Sequence, residues 1–248
     1  MAIFLLHRQG EMHKTIAVLA GDGIGPEIIT EAIKVLQAVA EKYHHSFTYE
    51  HALMGAVAID ETGNPLPDKT LEICKSSDAI LFGAIGDPKY DNDPNAKVRP
   101  EQGLLALRKA FNLFCNVRPV TIYDSLIDSS PLKRNRIEGV DLVIYRELTG
   151  GIYFGEKKEM NDKGVASDLC TYSKEEILRV AHLAFKAAGK RKNKLTLVDK
   201  ANVLASSRLW RSVVTDLHSS EYKDVELDFL FVDNAAMQMV LNPAQFDV

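Results

Sequence analysis

The sequence predicts an α/β fold. Three observations carry that prediction. Thr15 to Ala20 reads as a strand, Gly21-Asp22-Gly23-Ile24-Gly25-Pro26 as a turn, and the residues to about Tyr43 as a helix. The apolar run Val140 to Ile144 reads as a buried strand that ends at Arg146 and Glu147, with the pair Gly150–Gly151 just behind. Leu195 to Val198 and Val225 to Phe231 also end in polar groups, Asp199-Lys200-Asn202 and Asp233-Asn234. Polar residues at the end of a buried strand, before a turn, are a common way for an α/β protein to build a site.

The composition fits a soluble globular chain of one or two domains: 46% of the 248 residues are hydrophobic and 26% charged. A net charge of −4 offers no global basic field, so no nucleic-acid partner is expected, and anions must be bound by local arginines. Cys74, Cys115 and Cys170 show neither metal spacing nor a disulfide framework, which points to a reducing cytoplasm. No run reaches the length of a membrane span. The opening A-I-F-L-L is too short for a signal segment, and residues 1–14 read as an extra tail.

The first helix has Pro26 in its first turn and Ile29, Ile33, Leu36 and Ala40 on one face. The glycine spacing before it lacks the third glycine of a dinucleotide fingerprint, so it reads as a tight turn that lets backbone approach a ligand. Phe47 to Leu53 reads as a strand, Pro67 to Ser76 as a helix, and Asp78 to Gly83 as a strand leading to Gly86-Asp87-Pro88. Lys89 to Arg99 is a polar loop of the length that often carries function. Pro100-Glu101 opens a helix to about Asn112, and Glu101 suits its N-terminus. Leu104, Leu105 and Arg108 follow. Either the arginine stem covers the leucines, or together they hold a ligand apolar at one end and anionic at the other.

Phe114 to Val120 is extended and carries Arg118; Ile122 to Glu138 is polar and irregular. Around Tyr145 to Gly155, one reading is a hairpin with a surface ion pair and a packing tyrosine; the other is a site containing Arg146 and Tyr153. Val165 to Tyr172 reads as a strand, possible as an exposed arm with the turn-rich residues before it. Ser173-Lys174-Glu175-Glu176 is a capping box whose helix turns Ile177, Val180, Ala181 and Ala184 inward. A helix spans Leu209 to Leu217, with Trp210 read as core, and a short one Ala235 to Leu241. Three converging guanidinium groups would suit a di- or tricarboxylate. A lysine near such cations can act as a base, and an aspartate with carboxylate partners can bind Mg²⁺.

The motifs G-D-G-I-G-P-E, L-L-A-L-R-K, N-V-R-P, Y-R-E-L-T-G-G-I-Y-F-G, V-D-K-A-N-V-L and F-V-D-N-A-A-M occur in one order from about Lys14 to Val248. In this the chain resembles the NAD-dependent β-decarboxylating dehydrogenases of the isocitrate/isopropylmalate dehydrogenase family. The resemblance implies two α/β domains with a cleft between them, here residues 1–113 as part of the first and 114–248 as a nearly whole second. It implies Arg108, Arg118 and Arg146 as ligands of the malate carboxylates, Lys200 as the base, and Tyr153 as the acid that protonates the enol. Asp233 matches a substrate-side ligand of Mg²⁺ or Mn²⁺. Gly86, Asp87, Glu101 and Asn202 border NAD, and Leu104, Leu105 and Val203 match an apolar substrate pocket. The implied reaction is oxidative decarboxylation of (2R,3S)-3-isopropylmalate in leucine biosynthesis, by a homodimer with shared sites. Tartrate- and homoisocitrate-type activity, or a non-catalytic dimerising fragment, are the alternatives. Family chains run about a hundred residues further, with more metal ligands and the adenosine loop. Residues 1–248 alone are therefore expected to give no NADH signal with 3-isopropylmalate, NAD and Mg²⁺. Turnover by purified chain in an absorbance assay would refute this.

Overall fold

A computed structural model describes residues 10–93 and 96–248. The chain divides into two compact units, residues 1–111 and 112–248.

The first unit is built on β1 (His13–Gly21), whose even and odd side chains are both buried. A strand alternates its side chains, so two apolar layers meet on it. Ile16 and Val18 pack with Ile29, Ile33 and Leu36 of α1 (Gly25–Tyr43). Ala17 and Leu19 pack with Cys74 of α3 (Asp68–Ser76) and Leu107 of α5 (Pro100–Ala110). β2 (Ser46–His51) and β3 (Ala79–Ala84) flank β1, all parallel, in the order β2-β1-β3. The expected tail lies partly outside the described residues; within them, the strand already takes in His13 and Lys14, and Lys14 pairs with Asp78 at 2.7 Å.

Two local expectations differ. The second strand stops at His51 rather than Leu53, because Ala52–Gly55 turns away into a helix, α2 (Ala56–Thr62), that the sequence reading lacked. That helix has no capping side chain beside it. Its first N–H groups, of Ala56 and Val57, donate instead to Asp22 at 2.9 and 3.0 Å. A cap supplied from 34 residues away leaves no local signal. The loop after Asp87 contains a short helix, α4 (Pro88–Asp91), capped by Asp87.

In the second unit, β4 (Cys115–Thr121) pairs antiparallel with β5 (Asp141–Glu147). The stretch between them is not irregular throughout: a 3-10 turn at Asp124–Ser129 and α6 (Arg134–Ile137) bury Ile127 and Ile137. Of the strand expected over Val165 to Tyr172, Ser167–Asp168 (β7) pairs with Lys157–Lys158 (β6), and Thr171 makes a single antiparallel bridge to Gly151. The capping box forms as read: Glu176 N donates to Ser173 Oγ at 3.2 Å, and Ser173 N to Glu176 Oε2 at 2.7 Å. It starts α7 (Lys174–Ala188), and all four expected inward residues are buried. β8 (Lys194–Asp199) pairs parallel with β9 (Glu226–Phe231). α8 (Ala205–Glu221) packs on α7 through Val213, Val214 and Leu217. Trp210 is only half-buried, edge-on to Tyr172 at 5.4 Å. The last helix, α9 (Val232–Leu241), begins directly after β9, so Asp233 lies in its first turn.

Phe185 is fully buried in this core and stacks on Tyr222 at 4.7 Å. Phe185→Ala is expected to destabilise the second unit by about 3–5 kcal/mol, read as a lower urea midpoint. An unchanged midpoint would contradict the packing.

Candidate active site

In the first unit, a buried carboxylate organises the candidate cofactor loop. Asp22 accepts from Gly86 N at 3.0 Å as well as from the start of α2. This holds Gly86 at φ +126°, a backbone angle that favours glycine. A Cβ at Gly86 would meet Glu101 Oε1 at 3.3 Å, so Gly86, Asp87 and Glu101 form one corner at the start of α5. Its carboxylates are hydrogen-bond acceptors, which suits the hydroxyl and carboxamide donors of a nicotinamide riboside. On α5, Leu104 is half-buried and packs into the core of the unit; Leu105 and Arg108 are also half-buried.

In the second unit, the β4–β5 register fixes two of the three arginines. Arg146 lies opposite Asn116, and Arg118 opposite Ile144. Opposed residues share a face, so Arg118 and Arg146 are diagonal neighbours on one side of the ladder. Arg146 Nη2 donates to the Tyr153 hydroxyl at 3.1 Å, and its guanidinium lies 5.4 Å from the ring centre. The surface ion pair of the hairpin reading is not what forms. Glu147 turns inward, with its side chain 1% exposed, and pairs with Arg179 of α7 at 2.9 Å. Its oxygens also accept from Thr149 N and Gly150 N, at 3.0 and 2.8 Å. The turn that carries Tyr153 is thus pinned from beneath. Gly151 has φ +71°, and any Cβ there would strike the hydroxyl of Tyr172. The double glycine provides both a turn and room for that ring.

Lys200 and Asp233 stand at adjacent ends of the parallel strands β8 and β9, 2.7 Å apart. Its hydrogen bond from Lys200 holds the Asp233 carboxyl below its ordinary range, helped by the N–H groups of Asp233 and Asn234. The charge beside Lys200 is therefore a carboxylate and not the cation cluster of the sequence reading. Asn202 and Val203 are exposed on the turn that follows. Asp233 by itself does not make a divalent-metal site, which takes six or more oxygens. Among the described residues, no three His, Cys, Asp or Glu side chains gather as a metal-binding group. Asp199 behind Lys200 is buried and held by Arg211 through two 2.9 Å bonds.

Sequence reasoning missed Asp22, Arg179, Tyr172 and Arg211 as organisers. Only Asp22 carried a signal, as an acid between two glycines. A cavity of about 550 Å³ also lies in this unit, bordered by Arg146 and Tyr153.

An α/β chain with guanidinium groups, a phenol and a lysine–carboxylate pair at its strand ends has the residues of a carboxylate-binding, proton-transferring enzyme. The isocitrate/isopropylmalate dehydrogenase model matches residues 15–248, and the chain belongs to that family. It is 54% identical over 233 residues to a 3-isopropylmalate dehydrogenase of Bacteroides fragilis, and 53% identical over 241 to one of Bacillus subtilis. These matches take in 94% and 96% of the chain but 65% and 66% of the relatives, so the chain spans about two thirds of their length. Among solved structures, isocitrate dehydrogenase from Methylococcus capsulatus matches with a TM-score of 0.80 at 30% identity, over 95% of this chain and 65% of that one. A β-decarboxylating dehydrogenase from Thermococcus kodakarensis matches at 0.69 and 31%, over 95% and 63%.

Burial, and next the nearby Glu147 charge, push the Tyr172 phenol up to about 12. A raised folded value means that the protonated phenol is favoured by folding. This stability is complete below the unfolded value near 10 and is lost as pH rises toward about 12. Tyr172→Phe is expected to flatten the fall in thermal midpoint over that window. An identical fall in the variant would contradict the assignment.

Proposed function

We propose that this chain supplies the acid-binding and proton-transferring residues of an NAD-dependent 3-isopropylmalate dehydrogenase, a cytoplasmic homodimer. The reaction oxidises (2R,3S)-3-isopropylmalate and releases CO₂, giving 4-methyl-2-oxopentanoate in leucine biosynthesis. The observation that carries this reading is the 54% identity, over 94% of the chain, to a relative bearing that name. The site geometry agrees with it.

Arg118 and Arg146, on one strand face, bind the carboxylates of the substrate, with Arg108 as the third cation. Fixed guanidinium groups also hold the leaving carboxylate in one orientation. Gly86, Asp87 and Glu101 would hold NAD, which would supply the hydride acceptor for the carbinol carbon. When the substrate displaces its contact with Asp233, an exposed pair that solvent already weakens, Lys200 gives a proton to solvent and as the neutral amine takes the hydroxyl proton. Tyr153 returns a proton to the enol carbon. Its oxygen accepts from Arg146, so its own O–H points elsewhere and is available to donate. Leu104 and Leu105 are the apolar candidates of the first unit for the isopropyl group, and Val203 that of the second. Asp233 alone does not fit a divalent cation.

Tyr153→Phe in the full-length protein is expected to lower kcat on the order of a hundredfold or more with little change in KM. The measurement is NADH production from 3-isopropylmalate. An unchanged kcat would remove Tyr153 from the chemistry. No turnover by the unmodified full-length protein would favour a non-catalytic role.

A further inference from the structure

The corner of Gly86, Asp87 and Glu101 is entered by a segment, Gly86 to Tyr90, that has little packing of its own. α4 has four residues, and none of them is buried. A single helical turn is not stable by itself. Polar contacts therefore fix the place of this segment.

Those contacts lead to one helix. Asp22 joins two starting points: it accepts from Ala56 N and Val57 N, which open α2, and from Gly86 N, which opens the segment. One turn further along α2, Asp60 takes the other end. Its Oδ1 accepts from Lys89 Nζ and, at 2.7 Å, from the Tyr90 hydroxyl. Ala56 and Ala58 are buried, so α2 is itself seated in the unit. Gly86 and Tyr90 are thus tied to the same helix, and Asp87 stands between them. Asp87 Oδ1 accepts from Lys89 N at 2.8 Å, so the setting of α4 also sets this carboxylate. A further contact comes from just before α5, the helix that carries Glu101: Arg99 Nη1 donates to Tyr90 O at 2.8 Å.

The plain reading of Asp60 and Lys89 is a solvated ion pair. Their side chains are 48% and 60% exposed, and such pairs add little to stability. Two features go beyond it. Two adjacent residues of one turn end on a single carboxylate oxygen, which fixes the orientation of that turn as one bond would not. The bonds from Lys89 and then Tyr90 hold the Asp60 carboxyl below its ordinary range, so it is a charged acceptor at neutral pH. The clasp has no buried α4 side chain to compete with, so it governs orientation while adding little to stability.

We propose that Asp60 is a positioning residue for NAD: by clasping Lys89 and Tyr90 to α2, it presets Gly86 and Asp87 before the dinucleotide binds. This rests on the reading that Gly86, Asp87 and Glu101 hold NAD. A preset loop spares the ordering cost that binding would otherwise meet.

The test uses the full-length protein. Calorimetry gives the NAD dissociation constant without substrate, and the NADH assay gives KM for NAD and for 3-isopropylmalate. Asp60→Asn is expected to raise both NAD constants on the order of tenfold, with KM for 3-isopropylmalate, kcat and the thermal midpoint little changed. The sign is informative. NAD is an anion, so losing a carboxylate that acted by charge alone would tighten it. Asp60→Glu keeps the acceptor and is expected to restore most of the affinity. Tyr90→Phe removes one hydroxyl and is expected to weaken NAD about threefold. Glu101→Gln marks the corner itself. If Glu101→Gln weakens NAD while Asp60→Asn leaves it unchanged or tighter, the inference falls and the corner stands. If neither variant weakens NAD, both fall. An equal rise in KM for 3-isopropylmalate, or a lowered thermal midpoint with no rescue by Asp60→Glu, makes Asp60 a structural residue only and overturns the inference.

Discussion

The arrangement of the second unit depends on the carboxylate of Glu147. It leaves β5 pointing inward and meets Arg179 of α7 and the N–H groups of the following turn. A charge taken out of water needs such partners, and removing one from a buried pair costs about 3–5 kcal/mol. The turn therefore has one geometry, and the side chain it carries, Tyr153, has one place beside Arg146. Arg179 is fixed in its turn by Asn112 and by the Phe114 ring, so the start of β4 is tied to the same point.

The same device recurs. Asp199, 3% exposed, is held by Arg211 of α8; Asp247, 1% exposed, is held by Arg191 just after α7. Each pair ties strand-like backbone to a helix or its end. In the first unit, Asp22 has no cation in this role among the described residues. It uses three backbone N–H groups instead, two from the start of α2 and one from Gly86. Backbone donors at a helix start stabilise an anion much as a guanidinium does. In both units a buried carboxylate sets the loop on which candidate site residues stand.

Exposure separates these structural pairs from those of the candidate site. The Lys200–Asp233 side chains are 32% and 68% exposed, and Tyr153 is 47% exposed. Exposed pairs contribute little to stability, so substrate can replace them at small cost. The buried pairs cannot be exchanged in this way. Rigid acids beneath the surface and exchangeable groups above it make a preorganised site that still admits a ligand.

What the sequence determined by itself is what its local signals encode. Strand runs end at Glu147, Asp199 and Phe231, because apolar stretches and the turns after them are contiguous. The face of α1 follows from 3.6-residue spacing, and the start of α7 from a box of four residues. The order of motifs also made the family legible. Only the tertiary structure decided the pairings. Glu147 meets an arginine 32 residues on, Lys200 an aspartate 33 on, and the cap of α2 comes from Asp22. Glu147 and Asp233 are both acids at or just past the end of a strand, and no local pattern says which will be buried. The packing of α7 decides it: Arg179 lies beneath Glu147, and an acid there is stable only when paired.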